Sequence, residues 1–224
     1  MKRTSLILVV LLAAQLVNAG SPPINLMVTP RIALVIVSRD LSKLNDLDKA
    51  YLDAYTILRE DNACSRLYGG PAAIEALNEL MRKVRPAYLD KQIAVRMSGT
   101  TTMFRNGVTG FSYRMFEKAE INMAGSFYRS NTPMDHRIPL IANYQPNTRK
   151  TRVTLLLHEL GHLVRGADKK WVLLDDGNDI DLSIKNTERV VDVCRDEIET
   201  VSRMTVMEQL EQPLTTVAQL ATQP

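Results

Sequence analysis

A chain of 224 residues, 45% of them hydrophobic, has the material for one sizeable buried core but not for a string of domains. Basic side chains number 28 and acidic ones 25. Lys2 and Arg3 belong to a segment read below as removed; taking those two from 28 leaves 26 against 25, which excludes the basic excess of a nucleic-acid binder.

The first 19 residues read as a secretory signal peptide. Lys2-Arg3 is its basic region, and the apolar run over 6–17 is too short to span a bilayer. Val17-Asn18-Ala19 offers small residues at the positions signal peptidase reads, which places cleavage after Ala19; the alternative is an uncleaved anchor. No other stretch is long and apolar enough to cross a membrane. The mature chain is therefore expected to be secreted or periplasmic, with no stable membrane insertion. Its two cysteines, Cys64 and Cys194, are expected to pair in that oxidising compartment. The long loop they close is worth about 4–5 kcal/mol in the entropic account. Two separate buried thiols are the alternative, and a catalytic cysteine is disfavoured because no histidine lies near either one in sequence.

Residues 20–30 are proline-rich and read as an extended arm. Residues 32–37 are a short β-branched apolar run, consistent with a buried strand. Leu44, Leu47, Tyr51, Ala54, Tyr55 and Leu58 recur at helical spacing, so 42–60 reads as an amphipathic helix. Asp61-Asn62 ends it and leaves Cys64 in the turn. Gly69-Gly70-Pro71 opens a second helix with Pro71 at its first position, and Ile74, Leu77, Leu80, Met81 and Val84 form its apolar stripe. The pattern changes after Pro86. Ile93, Val95 and Met97 alternate as in a half-buried strand, and 99–103 either continue it or turn. Asn106-Gly107 signals a turn. Two further strands are expected over 111–115 and 119–128. Residues 129–148, with Pro133, Pro139 and Pro146, read as loop, with a short edge strand around 138–142.

The stretch from Leu155 to Val164 organises the rest. His158 and His162 are four apart, which puts both imidazoles on one face of a helix, one turn apart. Two imidazoles so placed can hold one Zn²⁺. Glu159 follows the first of them, beside the metal, where it can take a proton from a metal-bound water. With 3 His and 11 Glu in the chain, His-Glu-x-x-His arises by chance in roughly one such sequence in 500, so the motif is not readily dismissed. The bland alternative, a histidine pair merely buried and hydrogen-bonded, leaves two imidazoles and a carboxylate in an otherwise apolar helix. That helix is expected to begin near Thr148 or Thr151 and to end at Gly166 in a left-handed cap. Gly161, between the histidines, allows another element to come close. A last helix runs from 183–187 to Met207, with Ser183, Asn186 or Thr187 as N-cap and Val190, Val191, Cys194, Ile198 and Val201 as its buried stripe. One domain over 31–212 and a polar tail over 213–224 follow from this reading.

The His158-Glu159-Leu160-Gly161-His162 stretch resembles the zincin superfamily of zinc peptidases. That resemblance implies an α+β, zincin-like fold: a mixed twisted sheet packed on the metal helix, with N-terminal helices and a long C-terminal helix. It also implies that one edge strand borders the substrate cleft, where an extended substrate could add to the sheet. A catalytic zinc site needs a third protein ligand and an open position. Asp168 has the metzincin offset, but Arg165 stands where that group has its glycine, and no clear Met-turn follows. Glu188 imitates the gluzincin arrangement without its spacing. Asp175, Asp176 and the upstream His136 are further choices. The run from His158 to His162, then Gly166-Ala167, Asp176-Gly177, Asn186-Thr187 and Cys194, together with Cys64-Ser65-Arg66 and Gly69-Gly70, resembles a group of secreted bacterial proteins and carries no known activity. In that pattern the Asp-Gly pair is regular, which favours Asp176 as third ligand. A solvated acidic turn is the alternative for 175–181, and an EF-hand is excluded because its alternating acids and closing Glu are absent.

The leading expectation is thus a secreted zinc-dependent hydrolase, a peptidase acting on peptide or protein substrates, with Glu159 as general base. Tyr128, His136 and Tyr144 are oxyanion donors by residue type only. Two rivals stand beside it. One is a zinc-holding, zincin-like module that binds or inhibits without catalysis, which a blocked cleft would favour. The other is a disulfide-stabilised interaction protein without metal.

Overall fold

The computed structural model describes residues 44–134, 136–166 and 168–211. The expected signal peptide, extended arm, strand over 32–37, helix start at 42 and polar tail lie outside the described residues. The described part is mixed α+β. Its elements in chain order are α1 (Asp46–Arg59), α2 (Ala63–Leu67), α3 (Ala73–Lys83), β1 (Val84–Ala87), β2 (Val95–Arg105), β3 (Ser112–Asn122), α4 (Arg149–Leu163), α5 (Ile180–Arg203) and α6 (Val206–Glu211). None of these helices is long and apolar enough to cross a membrane.

Helix α4 is the centre. It packs against α1, α3, α5 and the sheet, and every residue from Val153 to Leu163 is buried. A helix apolar on all sides is stable only in that position. Thr148 caps it, its side chain accepting from the Thr151 amide. Around α4 the helical layer is held by the Cys64–Cys194 disulfide, which ties α2 to α5 with both cysteines fully buried.

Several local readings are corrected. Cys64 lies in the short helix α2, capped by Asn62, and not in a turn. Pro71 sits in the turn before α3, whose first residue is Ala73. The chain passes directly from α3 into β1, which pairs parallel with β3 and contains Pro86. Proline hides such a strand from a periodicity reading, and it is tolerated because β1 is the sheet edge in the order β1-β3-β2. The two strands expected over 111–115 and 119–128 are one strand, β3, which ends at Asn122. There the buried Asn122 side chain accepts from the Leu89 and Ala124 amides and donates to the Asp90 and Ile93 carbonyls, so the chain turns away and 123–128 is not strand. β2 continues through Gly99 by a shift of register between Ser98 and Thr101. Gly99 has φ +87°, and a Cβ there would stand 2.7 Å from Glu117 Cβ, so only glycine fits. The edge strand expected at 138–142 is a single bridge between Ile141 and Tyr144.

Helix α4 ends at Leu163, not at Gly166, and has no left-handed cap: Val164 is extended and pairs with Tyr113 of β3. The chain then doubles back, with Val172 N donating to Val164 O and Leu173 N to Gly161 O. Gly161 makes this return possible, because a Cβ there would lie 2.6 Å from Leu173 Cγ. Helix α5 starts at Ile180 under an Asp179 cap and ends at Arg203. Ser183, Asn186 and Thr187 are therefore not caps but lie inside it, while the stripe from Val190 to Val201 is buried.

Candidate metal centre

The doubling back after α4 determines the site. Leu173 crosses the helix at Gly161, between the two histidines, and the next residues bring the 175–177 turn over their rings. His158 Nε2 and His162 Nε2 stand 3.0 Å apart. Asp176 Oδ2 is 3.1 Å from the first and 3.5 Å from the second. These three residues could hold a metal ion, and no other such group occurs among the described residues.

Hydrogen-bond bookkeeping shows why the cluster wants a cation. The Thr187 hydroxyl donates its one proton to Ser183 O at 2.9 Å. Its contact with His158 Nδ1, also 2.9 Å, must then run from an Nδ1–H to the hydroxyl oxygen. In the neutral ring that tautomer leaves Nε2 as a bare acceptor aimed at the cluster; in the imidazolium Nε2–H is left to donate to Asp176. Asp176 brings a carboxylate, and Asn186 Nδ2 steadies it from 3.4 Å while donating to Leu174 O at 2.9 Å. Acceptors have converged, and a proton or a metal ion must sit among them. A metal in tetrahedral coordination with bonds of about 2.1 Å spaces its ligands by about 3.4 Å. The triangle of 3.0, 3.1 and 3.5 Å fits three corners of that arrangement.

The electrostatics agree. Burial works against the charged form of His162, but the hydrogen bond to Asp176 and the charges of Glu159, Asp176 and Asp175 outweigh it and raise its pKa. Burial likewise opposes ionisation of Asp176, yet its hydrogen bonds to His158 and His162, and their charges, hold its carboxyl well below the usual carboxylate range. Burial pushes Glu159 up; the two imidazoles oppose this and Asp176 adds to it. Glu159 is thus a carboxylate more basic than usual, on the helix turn that carries both imidazoles.

The cluster opens into a cleft of about 970 Å³. Its lining includes His158, Glu159 and His162 from α4, the first part of β2 and the residues leading into it (92–97), the 139–143 loop and one face of α5. β2 is a sheet edge, so beside the cleft it carries backbone groups that no strand among the described residues pairs. Within the loop, Ala142 and Asn143 both have positive φ, 46° and 71°, in a tight turn closed by paired bonds between Ile141 and Tyr144.

The other candidates lie elsewhere. Asp168 is exposed and accepts from the Lys170 amide. Glu188 lines the cleft but is outside the cluster. Asp175 faces Arg114, with one oxygen 4.0 Å from His162 Nδ1. His136 is exposed, its ring nitrogen 3.2 Å from Pro133 O. None of Tyr128, His136 and Tyr144 lines the cleft; the Tyr144 ring lies under Lys150 Nζ. The structure adds residues that sequence reasoning assigned otherwise. Asn186 and Thr187, read as caps, hold Asp176 and His158. Their signal was available, since they are polar residues in phase with the apolar stripe of α5. Arg114 had none. Comparison of the chain with protein-family models, with curated proteins and with solved structures finds no match, so the functional reading rests on the geometry of the site itself.

Proposed function

We propose that this protein is a secreted zinc-dependent hydrolase with a zincin-like catalytic centre, acting on peptide or protein substrates. The observation that carries the reading is the convergence of two imidazole nitrogens and a carboxylate oxygen at 3.0–3.5 Å, beside a buried carboxylate, at an open cleft. The donor set of two histidines and one aspartate suits zinc, with one position left for water. His158, His162 and Asp176 would hold the ion, which would supply Lewis acidity to a water and to a substrate carbonyl.

The chain's own residues do the rest. Glu159, made more basic by burial, takes the proton of the attacking water and returns it to the leaving amine. Thr187 keeps His158 in the ligating tautomer and Asn186 keeps the Asp176 oxygen in place. An extended chain can lie along the free edge of β2 by main-chain hydrogen bonds, which orients its carbonyls toward the cluster. A cleft of about 970 Å³ has room for several side chains and favours hydrolysis over a blocked binding module. The disulfide favours an oxidising compartment, in keeping with export.

The test is Glu159→Gln in the full mature chain, without a histidine tag. The variant should bind zinc as the parent does and cleave a peptide library about 10²–10⁴-fold more slowly. Equal cleavage would remove Glu159 from its role. A parent that takes up no zinc would remove the whole reading, and a parent that binds zinc but cleaves nothing would leave a zinc-holding binding module.

A further inference from the structure

The last carbonyls of any α-helix lack partners within it. In α4 two of them are satisfied by distant parts of the chain, and both partners build the site. Gly161 O accepts from Leu173 N at 3.0 Å. His162 O accepts from Arg114 Nε at 2.7 Å. Arg114 comes from β3, the central strand. A guanidinium at that end of the helix also meets the negative pole of its dipole.

The other two nitrogens of Arg114 fork onto the two carboxylate oxygens of Asp175. The guanidinium lies 4.2 Å from the ring centre of Trp171 and 5.3 Å from that of Phe116, and the residue is only 9% exposed. One planar group therefore holds both the helix end that carries His162 and the turn that carries Asp176. His162 Nδ1, buried and without a hydrogen-bond partner among the described residues, has Asp175 Oδ1 at 4.0 Å.

We propose that Arg114 is a positioning residue of the metal centre: by locking Asp175 against the end of α4, it sets the separation between Asp176 and the histidine pair and thereby the affinity for metal. This rests on the metal-binding reading above. The fork is what makes it work. Arginine offers parallel donors in fixed geometry to a carboxylate, whereas a lysine offers one mobile charge. Without the fork, Asp175 turns to water; the Asp176 carboxylate keeps only the 3.4 Å contact from Asn186 besides the imidazoles, and its backbone carbonyl the 2.7 Å bond from the Asp179 amide. Ordering the turn then opposes metal binding.

The experiment titrates the full, tag-free chain with Zn²⁺ against a chelator and compares the parent with Asp175→Asn, Arg114→Met and Arg114→Lys. Outer-sphere partners of metal ligands typically change affinity by about 10–100-fold. Asp175→Asn and Arg114→Met should each lose that much, with Arg114→Lys between them and the parent. The double variant should be little worse than the weaker single one, because the two residues act as one device. The visible spectrum of the Co²⁺-loaded protein should change in Asp175→Asn while the thermal midpoint of the metal-free variant stays near the parent's. A purely structural Arg114 would move the midpoint and leave the spectrum alone. Should Arg114→Met fail to fold, Asp175→Asn decides, since its side chain is 53% exposed. Parental affinity with an unchanged Co²⁺ spectrum in Asp175→Asn overturns the proposal. A parent that binds neither ion overturns it together with the metal reading.

Discussion

Two arginine–carboxylate pairs stand at opposite ends of α4, and they are built in opposite senses. At the start of the helix the acid is the buried partner. Asp53 is fully buried and accepts from Arg149 Nε at 2.8 Å, Arg149 Nη2 at 2.6 Å and Gln209 Nε2 at 2.6 Å. Arg149 also donates to Ser202 O and Met204 O, so this pair ties α1, α4 and the end of α5 to α6. At the other end the base is the buried partner, and the acid, Asp175, is half exposed at the rim of the cleft. The first pair gathers helices. The second holds a turn that carries Asp176, the carboxylate of the candidate metal centre.

Burial raises Asp53 in spite of Arg149, so desolvation exceeds what the pair returns. A pair like this is not a net source of stability, yet breaking it strands a charge. The same helix thus uses one kind of interaction for architecture and for site geometry, and exposure of the carboxylate separates the two roles.

The largest effect should come from the architectural end. Asp53→Ala leaves Arg149 uncompensated and is expected to lower unfolding stability by about 3–5 kcal/mol in chemical denaturation. Zinc affinity of the protein that remains folded should hardly change, and a fall as large as that of Asp175→Asn would erase the distinction between the two ends. Next comes Gly161→Ala, which tests the crossing that joins them to the site. Its new methyl meets the Leu173 side chain at 2.6 Å, so about 1–3 kcal/mol of stability should be lost. Because Leu173 leads into Asp176, metal affinity should fall with it; parental affinity by isothermal titration in a variant that denaturation shows to be less stable is the contrary result. Thr187→Val is the finest probe. It removes the acceptor of His158 Nδ1–H with little change of shape. Zinc affinity should drop about 10-fold, with stability altered by about 1 kcal/mol; unchanged affinity would mean that Thr187 does not hold the tautomer.

The core helix was legible because its signal is local. An apolar run with two histidines one turn apart and a threonine at its head specifies a buried helix, its start and the pair of imidazoles on one face within about fifteen residues. The buried stripe of α5 was legible for the same reason, and the cysteine count anticipated the Cys64–Cys194 bridge. Local reading failed where neighbours override it. Pro86 concealed a strand that survives only as an edge. Asp179 took the cap from three equally suitable residues, because the turn before α5 must reach α4.

Chain order and side-chain type were enough to say that His158, Glu159 and His162 share one helix, since a period of 3.6 residues is a property of the backbone itself. They were not enough to say which carboxylate meets them. That follows from Leu173 passing over the bare Cα of Gly161, from Arg114 reaching out of the sheet to Asp175, and from Asn186 standing on a helix that the disulfide helps to hold. Contacts between residues far apart in the chain depend on how whole elements pack, and no local periodicity encodes them.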